Sequence, residues 1–242
     1  MDHYETGLTG RLWKEHRNER TVGLPYGSYA RFTRRVADEA CCSERLPHLS
    51  WPDRIEHYHH TTGVPQSLFM GGDGRVAGIF IMGNDYRVKS EYHGGYPATY
   101  LKRIKALFPD KRRVLHLFSG RVDLDLFPGD TVDINPGLNP TYLDDAQTLQ
   151  QVPLEKYDLV LADPPYTGED AEKYGTTMVK RNTVVANLER LAPGTHVVWL
   201  DQMLPMYRKD TFDVEAHIGM VKSTNPRFRV ITIFRRRAEE RI

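Results

Sequence analysis

Short apolar runs separated by turn residues recur through the second half of the chain. Arg113-Val114-Leu115-His116-Leu117-Phe118 ends at the turn Ser119-Gly120, and Thr131-Val132-Asp133-Ile134-Asn135 carries an acid near its end. Tyr157-Asp158-Leu159-Val160-Leu161-Ala162 runs straight into Asp163; His196 to Asp201 and Arg229 to Phe234 follow. Runs of this length and composition read as buried strands. Strands that alternate with crossover segments predict an α/β fold with a doubly wound, mostly parallel sheet. Such a sheet binds its ligands beyond the carboxyl ends of the strands.

The first half reads differently. Ser28 to Ala40 predicts a helix with Tyr29, Phe32, Val36 and Ala40 on one face. Pro47, Pro52 and the His-rich stretch after them read as irregular. Ser67 to Met70, the turn Gly71-Gly72-Asp73-Gly74 and Val76 to Met82 predict a β-hairpin. The apolar runs on both sides favour a tight turn at those glycines over a phosphate loop. Tyr96 to Phe108 predicts an amphipathic helix with Pro97 in its first turn and Tyr100, Leu101, Ile104, Leu107 and Phe108 facing inward. The pattern places a smaller α+β extension at 1–95 and the main domain at 96–242.

Chemistry concentrates at strand ends. Asp163-Pro164-Pro165-Tyr166 brings an acid, two prolines and an aromatic to the mouth of the sheet. The Asp163 carboxylate and the Pro164 carbonyl are both acceptors, and together they can hold a planar –NH2 group. Pro165 fixes φ and offers no competing N–H, and Tyr166 presents a flat face for a ring. Asp133 and the pair Asp144-Asp145 also lie at or just past strand ends. After the first strand stand Gly120, Arg121 and Val122, not G-x-G-x-x-G. Nothing there cradles a pyrophosphate, which argues against a hydride-transferring dinucleotide enzyme.

With these residues, the segment from about Lys111 to Phe234 resembles a class I S-adenosylmethionine-dependent methyltransferase domain. Its Asp163-Pro164-Pro165-Tyr166 resembles motif IV of the amino-methyltransferases, best known among adenine-N6 DNA methyltransferases. The resemblance implies a Rossmann-like fold, S-adenosylmethionine as cofactor and methyl transfer to the exocyclic amine of adenine in DNA. It implies catalytic roles for Asp163, Pro164, Pro165 and Tyr166. It also implies cofactor contacts at Phe118, Ser119, Gly120, Asp133, Asp145, Ala146 and Asp163. A leading segment in this family often closes over the cofactor, which adds Asn84, Tyr92, Gly94, Gly95 and Tyr96. One departure is Val122, where the family has a second glycine; a side chain there implies another path for the loop.

Neither the stretch from Gly120 to Asp163 nor the residues after Tyr166, which the sheet strands consume, leave room for a dedicated recognition domain. Recognition therefore falls to the N-terminal part, to a partner, or to the loop Thr167 to Asn182, which contains Lys173, Tyr174, Lys180 and Arg181. With Tyr166, these four are the expected substrate contacts, closing over a flipped base. A helix from Thr183 to Leu191 follows. RNA, a protein amide or a small heteroaromatic amine presents the same –NH2, and a non-catalytic subunit of a methyltransferase complex keeps the same fold.

Composition bounds these readings. A net charge of +1 neither requires nor excludes nucleic acid. Local clusters, Arg11, Arg17, Arg20, Arg31, Arg34 and Arg35 near one end and Arg227, Arg229, Arg235, Arg236, Arg237 and Arg241 near the other, suggest a phosphate track. Glu239 and Glu240 dilute the second cluster. DNA is the expected partner before RNA. No apolar stretch is long enough to cross a bilayer, and Met1-Asp2-His3-Tyr4-Glu5 does not resemble a signal peptide, so a cytoplasmic location is expected. Adjacent Cys41 and Cys42 lack the spacing of a zinc site despite His48, His57, His59 and His60, and no metal is expected.

Overall fold

The computed structural model of the protein describes residues 49–64, 67–83, 96, 99–223 and 225–238. The expected helix at Ser28 to Ala40, the N-terminal arginines, Cys41, Cys42, His48, Asn84, Tyr92, Gly94, Gly95, Glu239, Glu240 and Arg241 lie outside the described residues.

Helix α1 (Trp51–Thr62) corrects the reading of Pro52 and the His-rich stretch as irregular. Pro52 sits in the first turn, where its missing N–H costs no bond. The Ser50 hydroxyl accepts from the Asp53 amide, and Gly63, at φ 64°, ends the helix in the left-handed conformation. The predicted hairpin follows as β1 (Leu68–Met70) and β2 (Val76–Met82), paired antiparallel. Helix α2 (Tyr100–Leu107) buries the predicted face of Tyr100, Leu101, Ile104 and Leu107, and Phe108 is buried just beyond it.

Then come β3 (Val114–Leu117), β4 (Asp130–Asp133), β5 (Tyr142–Leu143), β6 (Leu159–Ala162), α3 (Gly168–Lys173), α4 (Arg181–Asn187), β7 (His196–Asp201), β8 (Phe212–Lys222) and β9 (Asn225–Arg236). They form one nine-stranded sheet in the order β1-β2-β8-β9-β7-β6-β3-β4-β5. Strands β3 to β7 are mutually parallel, and β9 runs antiparallel between β7 and β8. This is the expected α/β, doubly wound, mostly parallel, Rossmann-like arrangement. The chain order turns back between β3 and β6, and a switch point of this kind opens a ligand crevice at the carboxyl ends. The hairpin, assigned by sequence to an N-terminal extension, is bonded into this same sheet through β2 and β8.

The crossovers are unusually lean. Between β3 and β6 the described connections are turns and the short 3-10 segments Pro136–Leu138 and Leu154–Lys156, with no α-helix. One face of the sheet packs on α1 and α2 through Tyr58, Phe80, Ile104, Leu107, Ile231 and Ile233. The other packs on α4 through Leu115, Leu117, Val160, Val184, Val185 and Trp199. No described helix is long and apolar enough to cross a membrane.

A buried ion pair fastens α1 to the end of α2. Arg54 is fully buried and donates to both Asp110 oxygens at 2.6 and 2.8 Å and to the Leu107 carbonyl at 3.0 Å. A lysine carries the charge but not the planar fork. Arg54→Lys should therefore cost about 2 kcal/mol, a melting shift of roughly 4–8 °C by calorimetry.

Candidate active site

Strand β6 is buried at every position, and its register with β3 and β7 sets Leu117, Ala162 and Trp199 side by side. The next residues of the first two, Phe118 and Asp163, therefore leave the sheet side by side at the mouth, while β7 runs on to Asp201. Phe118 turns there with φ 54°, a left-handed conformation that costs a non-glycine residue about 1–3 kcal/mol and is characteristic of functional turns. Gly120 follows at φ 51°.

The Ser119 amide donates to the Val132 carbonyl at 3.2 Å, and the Gly120 amide donates to Asp133 Oδ2 at 3.0 Å. Asp133 Oδ1 accepts from the Asn135 amide at 3.0 Å, and the Asp133 carbonyl accepts from the Asp144 amide at 3.2 Å. Phe118, Ser119, Gly120, Asp133 and the Asp144-Asp145-Ala146 turn are thus tied together along one edge of the mouth. Val122, at the position of the family's second glycine, packs against the core on the α1–α2 face. The loop accordingly bends toward the core after Gly120. A cavity of about 280 Å³ borders it, lined in part by Ser119, Gly120, Val122 and Leu138.

These residues fit the implied cofactor. Each Asp133 oxygen keeps a lone pair after its one bond to the loop, so ribose hydroxyls have acceptors. Asp145 is half-buried and Ala146 is buried.

Asp163 stands beside Phe118, at the end of the neighbouring strand. The Tyr166 hydroxyl donates to Asp163 Oδ1. Burial pushes the Asp163 carboxyl up to about 7; Tyr166 and the nearby charge of Arg229 pull it down, and Asp201 adds to the rise. The Pro164 carbonyl accepts no hydrogen bond from a described residue, whereas those of Pro165 and Tyr166 do. Arg181 reaches them with Nη2, at 3.4 Å to Pro165 and 3.2 Å to Tyr166. The same guanidinium donates to both oxygens of fully buried Asp201, at 2.5 and 3.1 Å. Arg181 is itself buried. It braces the motif from behind, in place of the outward substrate contact expected of it.

The other expected substrate contacts divide. Lys173, Tyr174 and Lys180 are exposed, and the segment carrying Lys173 and Tyr174 is the short helix α3 and its end, not plain loop. The Tyr166 ring has the Arg229 guanidinium over one face, 5.1 Å from its centroid, and its hydroxyl engaged by Asp163. That face is taken, and Tyr166 acts first on Asp163. Replacing the hydroxyl removes a bond that holds the Asp163 carboxyl down. Tyr166→Phe should move the acid limb of the activity profile to higher pH. A loss of roughly two- to fivefold at pH 7, recovered above about pH 8, would register that shift.

Tyr96, among the residues expected to cover the cofactor, stacks on Tyr100 with centroids 5.3 Å apart. Sequence reading missed Tyr100, taken only as an apolar helix position, and Arg229, taken only as one of a C-terminal cluster. The other described arginines of that cluster are engaged within the chain: Arg227 with Asp170, Arg235 with Glu215, Arg236 with the Glu189 carbonyl and Arg237 with Asp213.

Comparison with protein-family models finds no match, and comparison with curated proteins finds none either. A solved structure, the N-methyltransferase NodS from Bradyrhizobium japonicum WM9, aligns with 58% of this chain and 94% of its own. It does so at 15% sequence identity and a TM-score of 0.39. The strand order of the sheet stands independently of that likeness.

Proposed function

We propose that the chain is an S-adenosylmethionine-dependent N-methyltransferase that acts on the exocyclic amine of adenine in DNA and forms N6-methyladenine. The observation that carries this reading is the pair of acceptors at the end of β6. One is the Asp163 carboxylate; the other is a Pro164 carbonyl with no bond to a described residue, on a turn braced by Arg181. Two acceptors fixed in this way suit the two hydrogens of a planar amine.

When bound, S-adenosylmethionine supplies a methyl group on a positively charged sulfur, whose charge disappears as the methyl leaves. Phe118, Ser119, Gly120, Asp133, Asp145 and Ala146 would hold it along the β3–β4 edge of the mouth. The protein's share of the chemistry is then position and electrostatics. Asp163 and the Pro164 carbonyl orient the amine and favour the nitrogen geometry in which its lone pair is available. Tyr166 holds Asp163 Oδ1, which fixes the direction of the carboxylate. A carboxyl that titrates near 7 also takes up the proton released by the amine. Lys173, Tyr174 and Lys180, exposed on the segment after the motif, would be the contacts for a substrate backbone.

The test is transfer of labelled methyl from S-adenosylmethionine to duplex DNA, single-stranded DNA and total RNA in parallel. Label recovered from DNA as N6-methyladenine, absent with Asp163→Ala, is the expected result. Label in RNA alone, or in neither pool, would refute the DNA assignment.

A further inference from the structure

Strand β9 alternates in the ordinary way, with Ile233 and Ile231 fully buried against the core on the α1–α2 face. Two residues nearer the mouth on the same alternation stands Arg229, only 8% exposed. Antiparallel pairing of β9 with β7 sets Val230 opposite Asp201. The start of β9 therefore reaches the mouth to which β6 and β7 deliver their acids.

The Arg229 guanidinium lies over the Tyr166 ring, yet its Nε and Nη1 are buried without a hydrogen-bond partner. The hydroxyls of Tyr96 and Tyr100 are likewise buried and unpartnered. Burial raises both phenols first, and the charge of Asp163 raises them further, so they remain donors beside it. Asp163 lies near enough for its charge to be felt by Arg229, but buried N–H groups left without an acceptor are costly all the same. A core-facing strand position would ordinarily hold an isoleucine, as at 231 and 233. A ligand that brings acceptors accounts for an arginine there.

The sheet order favours substrate over cofactor as that ligand. The cofactor residues lie on β3 and β4, to one side of β6, and Arg229 lies on β9, two strands to the other side. We propose that Arg229 is a substrate-contacting specificity residue that donates to the ring nitrogen beside the methylated amine, N1 of adenine. This rests on the adenine reading given above. The amine hydrogens then belong to Asp163 and the Pro164 carbonyl, and the neighbouring acceptor belongs to Arg229.

One consequence is regiochemical. N1 carries an in-plane lone pair that competes for methyl groups, and a hydrogen bond from Arg229 occupies it. Methyl transfer is left to the exocyclic nitrogen. The N–CH3 bond forms as the S–CH3 bond breaks, sulfur keeps the electron pair, and one amine proton passes to Asp163 and on to water.

The experiment uses the full chain, labelled S-adenosylmethionine and oligodeoxynucleotides that carry adenine or 1-deazaadenine, in which N1 is a C–H. The wild type should lose about ten- to a hundredfold in kcat/KM on 1-deazaadenine. Arg229→Met should lose a similar factor on adenine and little more on 1-deazaadenine, with Arg229→Lys intermediate. Independent, multiplying losses would overturn the assignment of Arg229 while leaving adenine methylation in place. Failure of the wild type to methylate adenine would instead overturn the reading beneath it. A melting temperature for Arg229→Met no lower than wild type identifies a folded variant. If that variant does not fold, the wild type decides alone, and undiminished transfer to 1-deazaadenine overturns the proposal.

Discussion

Asp163→Ala is expected to lower methyl transfer by at least about a thousandfold while leaving S-adenosylmethionine affinity within about twofold of wild type. On the proposed reading Asp163 holds the amine, and its carboxylate is bonded to Tyr166 and not to the loop formed by Ser119, Gly120 and Asp133, so its loss should remove alignment without dismantling that loop. Asp163→Asn separates the two parts of its role. An amide oxygen still accepts from the amine and from Tyr166, but it does not titrate. That variant should keep a substantial part of the activity, about a tenth, and lose the rise through pH 7. Cofactor affinity that fell in step with turnover would count against this placement of Asp163.

Both variants should also be more stable than wild type at neutral pH. Burial lifts the Asp163 carboxyl from its ordinary value of 3.8 to about 7 in the folded chain. Between those values the folded state binds more protons than the unfolded state, so stability falls as pH rises from about 4 to about 7. Removing the carboxyl abolishes that slope. The gain at pH 7.5 is bounded at about 4 kcal/mol by the size of the shift, with each kcal/mol worth roughly 2–4 °C in melting temperature. Melting curves at pH 5 and pH 7.5 read it directly, and the difference between variant and wild type should grow with pH. A site that gains stability when its acid is removed is one in which function, not folding, retains the acid.

Much of this site was legible because local chemistry dictates it. The apolar run before Asp163 leaves little besides a buried strand, and the parallel sheet then sends its last residue to the mouth. The hairpin at 68–82 and the inward face of α2 follow from period alone. What stayed hidden depended on pairings distant in sequence. Pro52 and the histidines after it obscured α1, because a proline in a first turn resembles one in a loop until Ser50 and Gly63 are seen to cap the helix. Arg229 looked like one basic residue among several. Its spacing from Ile231 and Ile233 was the available signal, but only the antiparallel return of β9 brings that position to Asp163 and Tyr166. Arg181 was hidden for a related reason. A basic residue in a segment that follows a catalytic motif invites an outward reading, and the residue that turns it inward, Asp201, lies on another strand twenty positions later.

That inward turn sets the second large effect. Arg181→Met should cost about 3–5 kcal/mol, roughly 6–20 °C in melting temperature, because it leaves the fully buried Asp201 carboxylate without its cation. Trp199 Nε1 at 3.2 Å and the Gln202 amide at 2.7 Å still donate to Asp201, so the strand end should not unravel. The double variant Arg181→Met/Asp201→Leu removes both charges and should recover most of the lost stability, since a buried pair can often be exchanged for apolar groups of similar size. It should not recover the activity. The Pro165 and Tyr166 carbonyls lose their brace in either case, and the acceptors at Asp163 and Pro164 are fixed only as firmly as the turn that carries them. A double variant with wild-type stability and turnover reduced by about a hundredfold would identify Arg181 as a positioning residue. Recovery of both together would reduce it to an ordinary strut of the fold.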